Sequence, residues 1–179
     1  MRVFSVMGSP RLKGNTMLVL DYFTKGMREG HDKLELKSVF LHGKKIEPCA
    51  GCDKCKNGGE SCVINDDMLD LYGEVFAADV IIFSTPIYWW NMSAQLKTFL
   101  DRLYALDYEK AFKGKKFVLL MTYGGEDPNS GAEIVEKSMR EICDFVSMEF
   151  SVSFGMCSEL SEDEREEALK KVYNLGFDL

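Results

Sequence analysis

Val3-Phe4-Ser5-Val6-Met7-Gly8-Ser9-Pro10-Arg11-Leu12-Lys13-Gly14-Asn15-Thr16 passes from an apolar run through a polar turn with two glycines into a helical pattern. Val3 to Met7 is too short for a helix and ends at a glycine, so it reads as a buried strand. From Thr16 to Arg28, Leu18, Tyr22 and Met27 mark a helix. A strand feeding straight into a helix is the opening unit of an alternating α/β chain.

The rest of the chain repeats that unit. Further strands are predicted at Leu34 to Phe40, Val80 to Phe83, Lys116 to Met121 and Val146 to Phe154. Helices are predicted at Asp66 to Ala77, Asn91 to Tyr104 and Ser130 to Phe145. Ser130 with Glu133 and Ser161 with Glu164 have capping-box spacing and mark helix starts. Strands one, three and four are continuously apolar, as parallel strands covered on both faces must be. Strand two sets Leu34 and Leu36 against Glu35 and Lys37; strand five sets Val146, Met148, Phe150 and Val152 against Ser147, Glu149, Ser151 and Ser153. Those two read as edges. The result is a doubly wound, five-stranded parallel sheet of flavodoxin-like order 2-1-3-4-5. Its switch point lies between strands one and three, so a ligand is expected at the loops at 8 to 15 and 84 to 92. No repeat, linker or second domain is visible, and residues 1–179 are read as one domain with a cysteine loop at 48–62.

Composition narrows the function. A 179-residue chain with 46% hydrophobic and 12% aromatic residues can build a core without a metal or disulfide staple. A net charge of -7 repels nucleic-acid backbones and anionic lipid, which sets aside nucleic-acid and membrane roles. The N-terminal apolar run is too short for a signal peptide and no later run approaches a membrane span, so a cytoplasmic protein is expected. Thiols there stay reduced, and clustered cysteines then favour metal or redox chemistry over disulfides.

Three loops fall at the ligand end of the predicted sheet. Gly8 to Thr16 lacks the Walker A lysine and the G-x-G-x-x-G spacing. It nonetheless suits a phosphate: Ser9 and Thr16 bring hydroxyls, Asn15 an amide, Arg11 a guanidinium, and the helix start its own N–H groups and dipole. Ser84-Thr85-Pro86-Ile87-Tyr88-Trp89-Trp90-Asn91-Met92 offers three adjacent aromatics just past a buried strand. Pro86 fixes the backbone there, and Trp90 reads equally as a ligand contact or as core or subunit packing. Thr122-Tyr123-Gly124-Gly125-Glu126-Asp127 allows close backbone approach. Together the loops describe a pocket for a phosphate joined to a flat heteroaromatic ring, which fits flavin mononucleotide (FMN).

The stretch 8 to 16, the segment Thr85-Pro86-Ile87-Tyr88-Trp89-Trp90-Asn91 with its continuation to Arg102, and the cysteine loop ending Cys62-Val63-Ile64-Asn65-Asp66-Asp67-Met68 resemble the NADPH-dependent FMN reductase-like flavoproteins. More narrowly they resemble the iron-sulfur flavoprotein branch. The resemblance runs in order over nearly the whole chain. It implies a flavodoxin-like fold, FMN, and a homodimer or homotetramer with the flavin near a subunit contact. By that match Ser9, Arg11, Asn15 and Thr16 hold the phosphate, Pro86, Ile87, Tyr88, Trp89 and Asn91 line the ring, and Gly124 and Gly125 lie across from it.

Cys49, Cys52, Cys55 and Cys62 are spaced Cys-x2-Cys-x2-Cys-x6-Cys. Two short gaps direct three thiolates at one cluster and a fourth follows after an excursion, whereas zinc sites more often pair separated knuckles. Gly51, Gly58 and Gly59 supply the backbone freedom. The spacing leaves a cluster, zinc and metal-free thiols all open; the resemblance implies a [4Fe-4S] cluster. Cys143 and Cys157 are read as packing residues, His31 and His42 as solvated, and Glu162 to Glu167 as the charged start of the last helix.

The expected function is an FMN-dependent oxidoreductase, NAD(P)H being a candidate donor, that exchanges electrons with a small molecule or a ferredoxin-type partner. Its rivals are a clusterless FMN or quinone reductase and a non-enzymatic flavodoxin-like carrier. A phosphate-receiving regulatory domain would need acidic residues where this chain has Met7-Gly8.

Overall fold

A computed structural model describes residues 1–58, 61–125 and 127–179; Gly59 and Glu126, named above, lie outside the described residues. The elements are β1 (Arg2–Met7), α1 (Asn15–Gly30), β2 (Glu35–Phe40), α2 (Met68–Ala77), β3 (Val80–Tyr88), β4 (Asn91–Met92), α3 (Ala94–Arg102), α4 (Tyr108–Phe112), β5 (Lys116–Tyr123), α5 (Ser130–Phe145), β6 (Glu149–Cys157) and α6 (Glu162–Phe177). The long strands are parallel in the order β2-β1-β3-β5-β6, which is the predicted order with one short strand interposed.

Alternate residues of the central strands feed two cores. Val3, Val80, Ile82, Val118 and Leu120 face α1 and α6. Phe4, Ile81, Phe83, Phe117 and Leu119 face the layer of α2, α3, α4 and α5. Phe83 anchors the second core, meeting Phe117 at 5.1 Å and Phe99 at 5.8 Å, both edge-on. Burial on both faces explains the unbroken apolar runs.

Three local expectations are corrected. The helix expected at Asn91 starts at Ala94 instead, because Asn91–Met92 turns back as antiparallel β4 onto Ile87 and Tyr88. The cap of α5 is Asn129, whose side chain accepts from the Ala132 amide, rather than Ser130; the Ser161–Glu164 capping box of α6 is present as predicted. Strand five starts at Glu149, after a tight turn in which Ser147 adopts φ 59. A bulge then lets Phe117 pair with Phe150 and Val118 with Val152. The extra residue, Ser151, sends Val152 to the face opposite Phe150, so the expected single face of strand five is split between the two cores.

Candidate active site

The carboxyl ends of β3 and β5 bound a cleft of about 370 Å³, lined by Ile87, Trp89 and Trp90 on one side and by Tyr123, Gly124, Gly125 and Asn129 on the other. Its aromatic wall is a hairpin tip. Tyr88 pairs with Asn91, and the two residues between them, Trp89 and Trp90, have φ of 47 and 60. Positive φ at both central residues is the two-residue turn that matches strand twist. It leaves Trp89 91% exposed, while Trp90 is held by its indole N–H donating to Ser130 Oγ at 3.1 Å. Gly131 permits this contact, since a Cβ there would meet Ile87 Cγ2 at 2.7 Å and Trp90 Cα at 2.8 Å.

The opposite wall is tethered from beneath. Gly125 N–H donates to Glu159 Oε1 at 3.2 Å, and Cys157 Sγ meets Gly125 O at 3.4 Å. Cys157, expected only to pack, thus also holds this loop; Cys143 is wholly buried in the core. Tyr123 packs against Gly155, where a Cβ would come 2.8 Å from its ring, and its hydroxyl donates to Asp127 at 2.9 Å. Burial, reinforced by that carboxylate, holds the Tyr123 phenol well above its ordinary range.

The loop from Gly8 to Thr16 does not line the cleft, yet it is built next to it. Thr16 Oγ1 and Thr122 Oγ1 are 2.7 Å apart in a buried hydrogen bond, one residue before Tyr123. Ser93 Oγ donates to Gly8 O at 2.7 Å, while the Ser93 amide donates to Thr85 Oγ1 at 3.0 Å. Ser9 is buried, its Oγ accepting from the Arg11 amide at 3.1 Å; Arg11 is exposed and Asn15 half-buried. No side chain caps α1, whose N-cap is Gly14, so its first amides remain available to an anion. The structure therefore brings Ile87, Trp89, Gly124 and Gly125 into one cleft and sets Ser9, Asn15 and Thr16 at an uncapped helix start beside it. Pro86 is buried in β3, and Tyr88 and Asn91 form the closing pair of the hairpin. Ser93, Thr85, Thr122 and Asn129 were not anticipated as site residues; Ser93 and Asn129 carried a signal, as helix-capping residues before Ala94 and Ser130.

The cysteines form a second locus. Cys49 and Cys52 are exposed, Cys55 and Cys62 half-buried, and all four thiols are free. They line one small cavity of about 20 Å³ together with Arg102. Among the described residues, no three His, Cys, Asp or Glu side chains converge on a single-ion site. The loop is docked by its own side chains: Tyr104 donates to Asp53 Oδ1 at 3.1 Å, and Lys56 Nζ donates to Leu106 O at 2.9 Å. Lys56 also sits 4.8 Å and 4.3 Å from the Tyr104 and Tyr108 ring centres, a cation held over two aromatic faces. His31, expected in solvent, is half-buried with Nε2 enclosed, while His42 is exposed.

A parallel sheet of this order with its loops built around a cleft at the strand ends defines a flavodoxin-like α/β protein. A family model described as NADPH-dependent FMN reductase matches residues 1–155, and the chain belongs to that family. It is a flavin-dependent oxidoreductase. Over 98% of its length and 77% of the relative's, the chain is 32% identical to an iron-sulfur flavoprotein of Archaeoglobus fulgidus. Among solved structures it is similar to an NAD(P)H:quinone oxidoreductase from Methanothermobacter marburgensis, with a TM-score of 0.76 and 19% identity over 99% of this chain and 98% of that one. It is also similar to an FMN-dependent NADH-azoreductase from Bacillus anthracis in complex with FMN, with a TM-score of 0.75 and 14% identity over 98% of each chain. These two likenesses concern the fold. No described helix is long and apolar enough to cross a membrane.

Proposed function

We propose that residues 1–179 act as one FMN-binding domain that takes electrons from NAD(P)H and carries, in its cysteine loop, a [4Fe-4S] cluster serving a ferredoxin-type or small-molecule partner. The carrying observation is the adjacency of an uncapped helix start and an aromatic-walled cleft, joined by the buried Thr16–Thr122 hydrogen bond. FMN, when bound, supplies the conversion between two-electron and one-electron transfer. The chain's residues supply its place. Ser9, Arg11, Asn15, Thr16 and the first amides of α1 hold the phosphate. Ile87 and Trp89 cover one side of the ring, with Pro86, Tyr88 and Asn91 stiffening the hairpin, and the Gly124–Gly125 backbone approaches from the other.

The donor set fits a cluster. A zinc ion needs its sulfurs about 2.3 Å from one point, whereas a four-iron cluster takes each sulfur at a different iron, so its ligands line a cavity. Cys49, Cys52, Cys55 and Cys62 line one cavity together. The exposed Trp89 favours a homodimer or homotetramer that covers it. A cytoplasmic location, where thiols stay reduced, suits the four free cysteines of the loop.

The test is anaerobic reconstitution of the full chain followed by flavin, iron and sulfide analysis. FMN with acid-labile sulfide is expected, and Cys52→Ser should lose the sulfide while keeping the flavin. FMN without iron would leave a clusterless FMN or quinone reductase, a reading that the docking of the loop by its own Lys56 and Asp53 side chains favours. A colourless protein that binds no added FMN would overturn the whole reading.

A further inference from the structure

Arg102 ends α3, and its side chain is among the most deeply buried in the protein, at 1% exposure. Burying a guanidinium requires that its charge and its donors be met. Nη1 donates to Asp66 Oδ2 at 2.6 Å and to Glu47 O at 2.7 Å; Nη2 donates to Asp66 Oδ1 at 3.0 Å. Asp66 is itself pinned, accepting also from the amides of Glu47 and Met68 at 2.8 and 3.0 Å. This fork fixes the plane of the guanidinium. Nε, however, is buried and has no hydrogen-bond partner among the described residues. An unmet buried donor is costly, so such a group calls for an acceptor.

The cavity that Arg102 lines names the acceptor's chemistry. Its polar side chains other than Arg102 are the four cysteines, Asp53 and Tyr104, and the last two are already paired with each other. Four of these six side chains offer sulfur as their acceptor. We propose that Arg102 is a positioning residue of the cysteine site whose Nε–H donates a hydrogen bond to a sulfur of the cluster held there, raising the cluster's reduction potential. The proposal rests on the cluster reading. A cationic donor fixed by Asp66 favours the more negatively charged, reduced cluster, since hydrogen bonds to the sulfurs and local net charge set these potentials.

The experiment is a redox titration of the cluster in the reconstituted full chain, after iron, sulfide and FMN have been counted. Arg102→Lys keeps the charge beside Asp66 but removes the Nε donor. It should retain FMN and shift the one-electron reduction equilibrium at least tenfold toward the oxidised form, or about 59 mV. Asp66→Asn keeps the donor and removes a negative charge, so its potential should move the opposite way. A purely structural role for the pair would not give shifts of opposite sign. Full iron content with an unmoved potential in Arg102→Lys overturns the proposal. If Arg102→Lys fails to hold iron, Asp66→Asn decides, and an unchanged or lowered potential there overturns it. A wild-type protein that binds FMN but neither iron nor sulfide overturns the cluster reading itself and this proposal with it, a result distinct from a loaded cluster indifferent to Arg102.

Discussion

Two tryptophans carry the local strain of the site. A non-glycine residue in the left-handed region costs about 1–3 kcal/mol and persists where surrounding structure demands it. Trp89 and Trp90 both do so at one turn, and Trp89 gains no burial in exchange. The same turn is normally announced by Asn-Gly or Asp-Gly, so Trp-Trp concealed the hairpin and let Asn91 read as helix. Trp89→Asn should therefore raise the thermal midpoint by a few degrees, the equivalent of about 1 kcal/mol for a chain of this size. The same change should weaken FMN binding up to about tenfold by removing an aromatic face. Calorimetry and a fluorescence titration with FMN would check the two halves; a variant with unaltered FMN affinity would remove Trp89 from the ring site.

Among the elements, the packing of α1 on α6 is the tightest contact that the amino-acid pattern did not announce. A Cβ at Gly26 would strike Tyr173 O, one at Gly176 would strike Phe23 O, and one at Gly30 would strike Phe177 O. Glycines inside helices ordinarily cost about 1 kcal/mol against alanine, and read alone they only weaken a helix prediction. Here they let two backbones touch and so position the start of α1, where Arg165 of α6 reaches Asn15 Oδ1 at 3.1 Å. Gly176→Ala should destabilise by about 3 kcal/mol or more, beyond ordinary overpacking, because the obstacle is backbone. Gly73→Ala on α2, where an added methyl meets nothing within 4 Å, should instead stabilise by about 0.5–1 kcal/mol. Urea midpoints of the two variants should move in opposite directions. Helix α3 has a comparable positional role. Its first turn is tied through Ser93 to Gly8, and nine residues later it delivers Arg102 to the cysteine cavity. That is about 14 Å of rigid helix between the two loci.

At the scale of the whole molecule, stability depends on pH through groups the fold has buried. Burial pushes the Cys143 thiol up to about 12 from an ordinary 9.0. The folded state then keeps a proton that the unfolded chain gives up, so this contribution is intact below about pH 9 and is lost as pH rises toward 12. The fall in unfolding free energy across that alkaline window should be shallower in Cys143→Ala than in the wild type, whatever the variant's stability at pH 7. Equal slopes would show that Cys143 does not titrate between the two states. Asp66 works at the other end. Burial opposes its ionisation, but the hydrogen bonds from Arg102 overcome this and hold its carboxyl below the usual range. Its contribution is present above the ordinary carboxylate pKa and lost as pH falls through the folded value.

The strand order was legible because burial on both faces writes itself into β1, β3 and β5 as unbroken apolar runs, and partial exposure writes itself into β2 as alternation. The strand-to-helix loop at 8 to 16 was legible because one short segment carries its strand end, polar turn and helix start. The cysteine spacing was legible for the same reason. What tertiary structure alone decided joins residues far apart in the chain. Thr16 meets Thr122, Gly8 meets Ser93, and Arg102 meets Asp66 beside Cys62. The bulge at Ser151, which split the apparent single face of β6, depends on its pairing with β5. Periodicity records whether a side chain is buried, a property each position carries by itself; partnership is a property of pairs, and it exists only once the chain has closed on itself.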